Sequence, residues 1–507
     1  MAYLLAHDLG TTGNKSTLYT TEGALVASRV CSYDLRVTHG NWAEQRADDW
    51  WEAVCRSTRE LTALVPPTEI EAVSFSGQMM GCLCLDGDGQ PLRNALIWAD
   101  MRSSEQERQV RAQMEEREFY RLTGHRISPS YGAFKLRWIK DNEPEIYRRT
   151  AVVVNAKDYI LFRLTGRFVT DQSDASSTCV YDITRREWSE ELLSLFGLDI
   201  EKMPDILPSI AVAGAVTQQA ARETGLVAGT KVVCGGGDGP CAAVGTGCVR
   251  EGVANSCMGT SSWISTASRV PVADPGMTTI NFDHIVPGYV LPCGTMQCGG
   301  GALSWAVSRF CGGEKTAAQA EGRDVYDRVE EAVGRSPTGA KGLIFLPQLI
   351  GERSPYWDPK ARGAFLGLTL EHTLEDMLRA VMEGVALTLD RILDAFHSHI
   401  PIDRLVVIGG GAKSRQWLQI FADVYGLPIQ RPNMLEEACS MGAAITAGVG
   451  AGVFHDFDVV DRFLQIRDTY LPDSVCSGRY RSLKPIYQQA YPQLRSIFHA
   501  LSDFQCE

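Results

Sequence analysis

Two short turns built from glycine, threonine and serine constrain this chain more than any other feature. The first is Asp8-Leu9-Gly10-Thr11-Thr12-Gly13-Asn14-Lys15, and the second is Met258-Gly259-Thr260-Ser261-Ser262. Each sits between two runs that alternate like strands: residues 3–8 and 15–19 around the first, 250–256 and 263–267 around the second. A third run, 24–33, follows a turn at Glu22-Gly23. Recurrence of one strand–turn–strand unit predicts two related halves. A chain of 507 residues is too long for one core. We therefore expect domains at 1–249 and 250–507, joined near residues 247–252.

Between these landmarks the pattern predicts helices over 48–63, with Asp48 as N-cap, and over 103–111, 133–140, 157–164 and 373–397. Strands are expected over 71–75, 151–155, 231–234, 342–346 and 404–408. The stretch 439–452 is rich in alanine and glycine, as close helix packing requires.

Composition narrows the class of partner. The net charge of −12 shows no basic stripe, which argues against nucleic acid or an anionic membrane. No run approaches the ~18 apolar residues of a spanning helix. The opening residues lack the basic region of a signal peptide, and the fifteen cysteines form no zinc pattern. Reduced thiols in the cytoplasm are the expectation.

Four motifs carry chemistry. A turn of Gly10, Thr11, Thr12 and Gly13 directs backbone N–H groups and hydroxyls toward one point, which suits phosphate oxygens, and a plain hairpin would use the same residues. Asp8 at the strand end can hold Mg²⁺, and Lys15 adds charge. Gly259, Thr260 and Ser261 repeat the device, so the two turns could clamp a polyphosphate from both sides. In Cys234-Gly235-Gly236-Gly237-Asp238-Gly239-Pro240, a strand runs into glycines and a carboxylate. Asp238 either accepts the proton of an incoming hydroxyl or caps the next helix. Ile408-Gly409-Gly410-Gly411-Ala412-Lys413-Ser414 leaves bare backbone for a base or ribose. It is neither a Walker loop nor a dinucleotide fingerprint, which speaks against an oxidoreductase. Gln78, Met79 and Met80, with Trp98, Asp100 and Arg102, supply the mixed apolar and polar wall of a small-ligand pocket. Core filling and surface charge would explain each of them singly.

Taken in order, D-L-G-T-T-G, G-Q-M-x-G, W-x-D-x-R, G-G-G-D, G-T-S and G-G-G-A-x-S resemble the FGGY carbohydrate kinases, most closely the xylulose kinases among them. Trp42-Ala43-Glu44-Gln45, Phe134 to Trp138 and Gly363 to Leu368 are similar to further family landmarks, so the resemblance runs from about residue 4 to 450. It implies an actin-like α/β fold of two RNase H-like domains with the active site between them. It implies ATP as donor, Mg²⁺, and phosphorylation of a small sugar or polyol, first a ketopentose such as D-xylulose, then ribulose, erythritol or glycerol. Asp238 would be the catalytic base. Gly10, Thr11, Thr12, Asn14, Lys15, Gly259, Thr260 and Ser261 would meet phosphates, with Gly300, Ser304, Gly410, Gly411, Ala412 and Arg415 along the nucleotide. A homodimer is expected. A non-catalytic nucleotide-binding protein of the wider actin-like group is the competing reading. Two positions depart: similar xylulose kinases carry His where this chain has Met80 and Asn where it has Gly239. Both normally meet sugar hydroxyls, so the resemblance leaves the donor side intact and the acceptor side altered.

Overall fold

The computed structural model describes residues 2–506. Its strands are labelled β1 (Tyr3–Leu9), β2 (Gly13–Thr20), β3 (Leu25–Ser32), β4 (Ile70–Gly77), β5 (Val212–Ala215), β6 (Lys231–Val233), β7 (Gly236–Gly237), β8 (Gly252–Met258), β9 (Ser262–Thr266), β10 (Ile280–Asp283), β11 (Val290–Met296), β12 (Ile402–Ile408), β13 (Ile429–Pro432) and β14 (Ile466–Tyr470). The helices that matter here are α1 (Ala47–Thr62), α2 (Ala156–Thr165), α3 (Asp238–Gly245), α4 (Gly300–Phe310), α5 (Val325–Arg335), α6 (Leu374–His397), α7 (Arg415–Tyr425) and α8 (Ala438–Gly450).

Two seven-stranded mixed sheets organise the molecule. The first runs β5-β6-β4-β1-β2-β3, with β7 beside the end of β4; the second runs β10-β11-β9-β8-β12-β13-β14. Their central pairings correspond. β1, β2 and β3 form an antiparallel meander with β4 parallel to β1. β8, β9 and β11 do the same, with β12 parallel to β8. The repeated turn read in the sequence is therefore the β1–β2 turn and its counterpart between β8 and β9.

Period-two alternation sorts each strand's side chains onto two faces. From β1, Leu5 and Leu9 join a core with Trp50 and Val54 of α1, whereas Leu4 and Ala6 join a different core with Ala444, Ile445 and Ala447 of α8. The last helix-forming glycine and alanine run thus returns from the second half to cover the first sheet. It packs against α3 as well as β1 and β4. A Cβ on Gly442 would lie 1.9 Å from the Cys241 carbonyl oxygen, and one on Gly245 would lie 2.0 Å from that of Ala438. Backbone touches backbone here, so neither helix can yield. Gly442→Ala is expected to destabilise by about 1–3 kcal/mol or more through overpacking, read as a lowered denaturant midpoint.

The sequence misplaced one cap. Helix α1 starts at Ala47 with Arg46 in the cap position, and Asp48 lies inside the first turn. There it faces the helix dipole's positive end and the Arg46 guanidinium, 4.0 Å away.

Candidate active site

Strand adjacency assembles the centre of the site. In the parallel register Asp8 lies opposite Ser76, and Ser76 Oγ donates to Asp8 Oδ1 at 2.7 Å. β7 extends the same sheet beside β4, and Asp238 follows it as the first residue of α3. Asp8 and Asp238 therefore project from one sheet edge. Burial pushes the Asp238 carboxyl up to about 7, and the Asp8 charge adds to the rise. Asp8 is also raised by burial, against the Ser76 hydrogen bond and the Lys15 charge. A carboxyl group titrating near 7 is matched to taking a proton at neutral pH. Asp238 does not cap this helix: Gly237 holds the cap position without a side-chain bond, and Gly239 N donates to Asp238 Oδ1 at 2.8 Å from within the first turn.

The second half reaches the same place. Cys257 stands two residues before Gly259, and its thiol is pushed to about 12 by burial and then by the Asp238 charge. Cys439, at the start of α8, is raised by burial and by both Asp8 and Asp238, and its Sγ lies 3.6 Å from the Asp238 carbonyl oxygen. Cys257 and Cys439 of the second half thus stand near Asp238 of the first.

The first turn is held from several sides. Gly10 N donates to Gly13 O at 3.0 Å. The Tyr33 hydroxyl donates to Gly10 O, Gln45 Nε2 to Thr11 O, and Trp98 Nε1 to Thr11 Oγ1 at 2.9 Å. Thr12 is exposed. Lys15 crosses to the other lobe, donating to Glu436 O at 2.7 Å with the Glu437 carboxylate at 3.9 Å. Asn14 needs correcting as a phosphate ligand. Its side chain is fully buried on the opposite face, donating to Ser16 and Ser57. Strand alternation turns it inward, leaving only its backbone near the turn.

A cavity of about 570 Å³ lies in the second lobe. It gathers Gly259, Thr260, Gly300, Ser304, Gly410 and Gly411 from three separate segments. Close contact explains the glycines: a Cβ on Gly300 would meet Gly259 O at 2.5 Å, and Gly409 adopts φ 84° against Met258. Gly300 N and Gly301 N donate to Gly259 O and Thr260 O. Ser261 is exposed on the same turn. Two expected contacts fall outside the lining. Ala412 is buried in the lobe's core beside Trp417 and Leu418, and Arg415 points outward from the start of α7. Within the short helical turn over Gly410–Lys413, Ala412 faces the core while Gly410, Gly411 and Lys413 line the cavity.

On the first lobe, Met79 packs against Gly237 so closely that a Cβ there would lie 2.3 Å from Sδ. Met80 holds φ 62°, an uncommon conformation for a side-chain-bearing residue. Its N–H donates to Ser177 Oγ at 3.2 Å and its carbonyl accepts from Lys135 at 3.1 Å. Gln78 is buried, donating to Gln45, while its Oε1 has no partner. A Cβ on Gly239 would meet nothing within 4 Å, so the space beside Asp238 is open. Asp100 and Arg102 correct another expectation. They pair at 2.8 Å, Arg102 also binds Glu44, and its guanidinium stacks 3.9 Å from the Trp42 ring centroid. Their charges are met by one another and by Glu44, and Asp100 Oδ2 also accepts from Ala43 N at 2.7 Å.

The N-terminal domain of the FGGY family of carbohydrate kinases matches residues 3–245, and its C-terminal domain matches 254–451. The chain belongs to this family. It is 30% identical to the xylulose kinase of Bacillus subtilis over the whole of both chains. The ligand-bound xylulose kinase structure from Lactobacillus acidophilus superposes with a TM-score of 0.92 at 27% identity, covering 99% of this chain and 100% of that one. The gluconate kinase structure from the same organism gives 0.92 at 28% identity, covering 99% of each. The two-sheet architecture is thus the actin-like ATPase fold, and the chain is a carbohydrate kinase with ATP as its phosphoryl donor. No helix among the described residues is long and apolar enough to cross a membrane.

Sequence reasoning missed three parts of this FGGY kinase's cleft. Tyr326 and Asp324, around the start of α5, line the second-lobe cavity without any glycine motif to announce them. Lys157, fully buried on α2, meets Asp158 at 2.5 Å, Asp171 at 2.8 Å and Asp174 at 3.1 Å. Ser173, bonded to Asp171, accepts from Gly237 N at 3.0 Å, so this network sets the backbone that carries Asp238. An Asp171-x-x-Asp174 pair far from Lys157 in sequence gave no hint of it. Arg353, in a loop of the second lobe, faces Trp98 across the cleft at 5.7 Å.

Proposed function

We propose that the chain transfers the γ-phosphoryl group of MgATP to a hydroxyl of a small open-chain carbohydrate, with Asp238 as general base. The observation that carries this is Asp238 beside Asp8 at one sheet edge, its carboxyl raised to about 7 and its carbonyl 3.6 Å from Cys439 Sγ of the second half. In this reading the triphosphate lies between the turns at Gly10 to Gly13 and Gly259 to Ser261. The ribose and base run along Ser304, Gly410 and Gly411 toward Tyr326. Asp8 and Asp238 are two carboxylates in each other's field, a donor set that suits a divalent cation; Asp8 would hold Mg²⁺, which neutralises phosphate charge when bound. Asp238 takes the hydroxyl proton as the oxygen–phosphorus bond forms and the bond to the ADP oxygen breaks. Lys15, tied to Glu436 across the cleft, favours a closed arrangement that excludes water.

Lobe assignments follow: residues 1–249 bind the acceptor and supply Asp238, and 250–507 bind the nucleotide. Homodimerisation is part of the reading. Its support is an apolar flank of the last helix, Ser474–Cys506, on which Val475, Ile486, Ile497 and Phe504 are exposed.

D-Xylulose is the first acceptor to test, because relatives spanning the whole chain are xylulose kinases. Gluconate is the second, favoured by the gluconate kinase likeness. ADP release measured with D-xylulose, ribulose, erythritol, glycerol and D-gluconate tests the proposal, and release above the acceptor-free rate is expected. Absence of any acceptor-dependent ADP would favour the non-catalytic alternative.

A further inference from the structure

Two motifs of the sequence, Trp42-Ala43-Glu44-Gln45 and Trp98-Ala99-Asp100-Met101-Arg102, become one structure in the fold. The strands Trp42–Gln45 and Ala95–Leu96 pair antiparallel, with Glu44 opposite Leu96 and Gln45 opposite Ala95. The segment that follows Leu96 is tied back to the first strand repeatedly. Ile97 N donates to Ala43 O at 3.2 Å, Ala43 N to Asp100 Oδ2 at 2.7 Å, and Arg102 Nη2 to Glu44 Oε1 at 2.8 Å. Asp100 N donates to Ile97 O at 2.9 Å, which closes a turn around Trp98. The buried pair of Asp100 and Arg102 therefore fixes a corner of backbone, and that corner carries Trp98.

Both motifs reach the same residue of the first polar turn. Trp98 Nε1 donates to Thr11 Oγ1 at 2.9 Å, and Gln45 Nε2 donates to Thr11 O at 2.6 Å. The Gln45 amide fits only one way round. Its Oε1 accepts from Trp50 Nε1 at 3.2 Å, a group that can only donate, and the Thr11 carbonyl can only accept. Gln78 therefore presents its own Nε2 to Gln45 Oε1, at 2.7 Å. Gln45, Trp50 and Gln78 are all buried, so water does not compete for these bonds. Gln78, expected against the sugar, directs its amide N–H into this chain instead.

The indole bond also decides what the Thr11 hydroxyl does. Because the indole N–H only donates, Thr11 Oγ1 accepts, and its single proton is left for another acceptor. That proton reaches no acceptor among the described residues. Thr11 is half-buried in the turn that Gly10 N and Gly13 O close at 3.0 Å. A hydroxyl that already accepts one bond is a directed donor, and a phosphate oxygen is a charged acceptor that strengthens the bond it receives. Resting on the kinase reading above, we infer that Trp98 is a positioning residue: its indole N–H turns the Thr11 hydroxyl proton toward a phosphate oxygen of the bound nucleotide. The Asp100–Arg102 pair acts one step further back, by holding the corner from which the indole reaches Thr11.

Trp98→Phe keeps an aromatic ring and removes the N–H. Titration with Mg²⁺ and a non-hydrolysable ATP analogue should show Kd raised about 3- to 10-fold in Trp98→Phe, and about 10- to 100-fold in Thr11→Val, which removes the hydroxyl itself. The two changes should not add. In the Thr11→Val background, Trp98→Phe should move Kd by less than about twofold. In Thr11→Ser, which keeps the hydroxyl, the full effect of Trp98→Phe should return. Equal losses in all three backgrounds, or a raised acceptor KM with the nucleotide Kd unchanged, would assign Trp98 to packing alone and overturn the inference. The coupled Kd pattern without acceptor-dependent ADP release would uphold it as a statement about nucleotide binding and remove the kinase reading instead.

Discussion

Asp238→Asn is expected to lose turnover by a factor of about 10²–10⁴, the usual contribution of a positioned general base, while ATP affinity measured by titration stays within a fewfold of wild type. Asparagine keeps the shape and the cavity that lies in the other lobe but cannot take a proton. The pH dependence of wild type follows from the same group. Its carboxyl titrates near 7 because of burial and the neighbouring Asp8 charge. Only the ionised form is a base, so kcat/KM should climb with pH through about 7 and level off above it. The variant should show no such limb. Stability runs the other way. A carboxyl raised in the folded state binds its proton more tightly there than in the unfolded chain. Between about 4, its unfolded value, and 7, rising pH therefore weakens the fold. Above pH 7, Asp238→Asn should melt at a higher temperature than wild type, and below pH 4 the difference should vanish. A variant that kept full turnover would end the assignment of the base. One that lost turnover and melted lower at pH 8 would point instead to a structural role.

Lys157→Met should be the most destabilising single change in the first lobe. It leaves Asp158, Asp171 and Asp174 buried without their shared cation, and breaking such a buried network by removing one partner costs about 3–5 kcal/mol. Burial already raises Asp158 and Asp174. Loss of the lysine should raise them further, so the variant's denaturant midpoint should fall most at alkaline pH. Because Ser173 ties Asp171 to Gly237 N, turnover should fall alongside stability. Adding Asp158→Asn and Asp174→Asn should recover part of the midpoint by removing the uncompensated charge. If the single variant is as stable as wild type, the cluster does not anchor the Asp238 backbone as described.

The chain's linear order announced much of this molecule. Strand–turn–strand units around Gly10 and Gly259 were legible because glycine and hydroxyl residues between alternating apolar runs admit few other structures. Asp238 after three glycines reads as a proton acceptor or as a helix cap, and only the family resemblance favours the base. Where the reading failed, the missing quantity was direction. Asn14 sits one residue from Lys15 yet points to the opposite face, because β2 has begun by Gly13 and alternation applies from there. Asp100 and Arg102 are polar and close to the cleft in sequence, but Glu44 and Trp42 from a neighbouring strand absorb them.

By itself the sequence determined the two-part repeat and the family, since each rests on local patterns of a few residues, and it singled out the polar turns and Asp238 on which the proposed function rests. Tertiary structure alone decided the rest: that α8 crosses back onto the first sheet, that Lys157 gathers three carboxylates beneath the strand end that carries Asp238, and that Arg353 of the second lobe meets the Trp98 ring of the first. Charge pairing and burial depend on what other segments bring within a few ångströms, and that distance is written in the packing of two lobes, not in the spacing of residues along one chain.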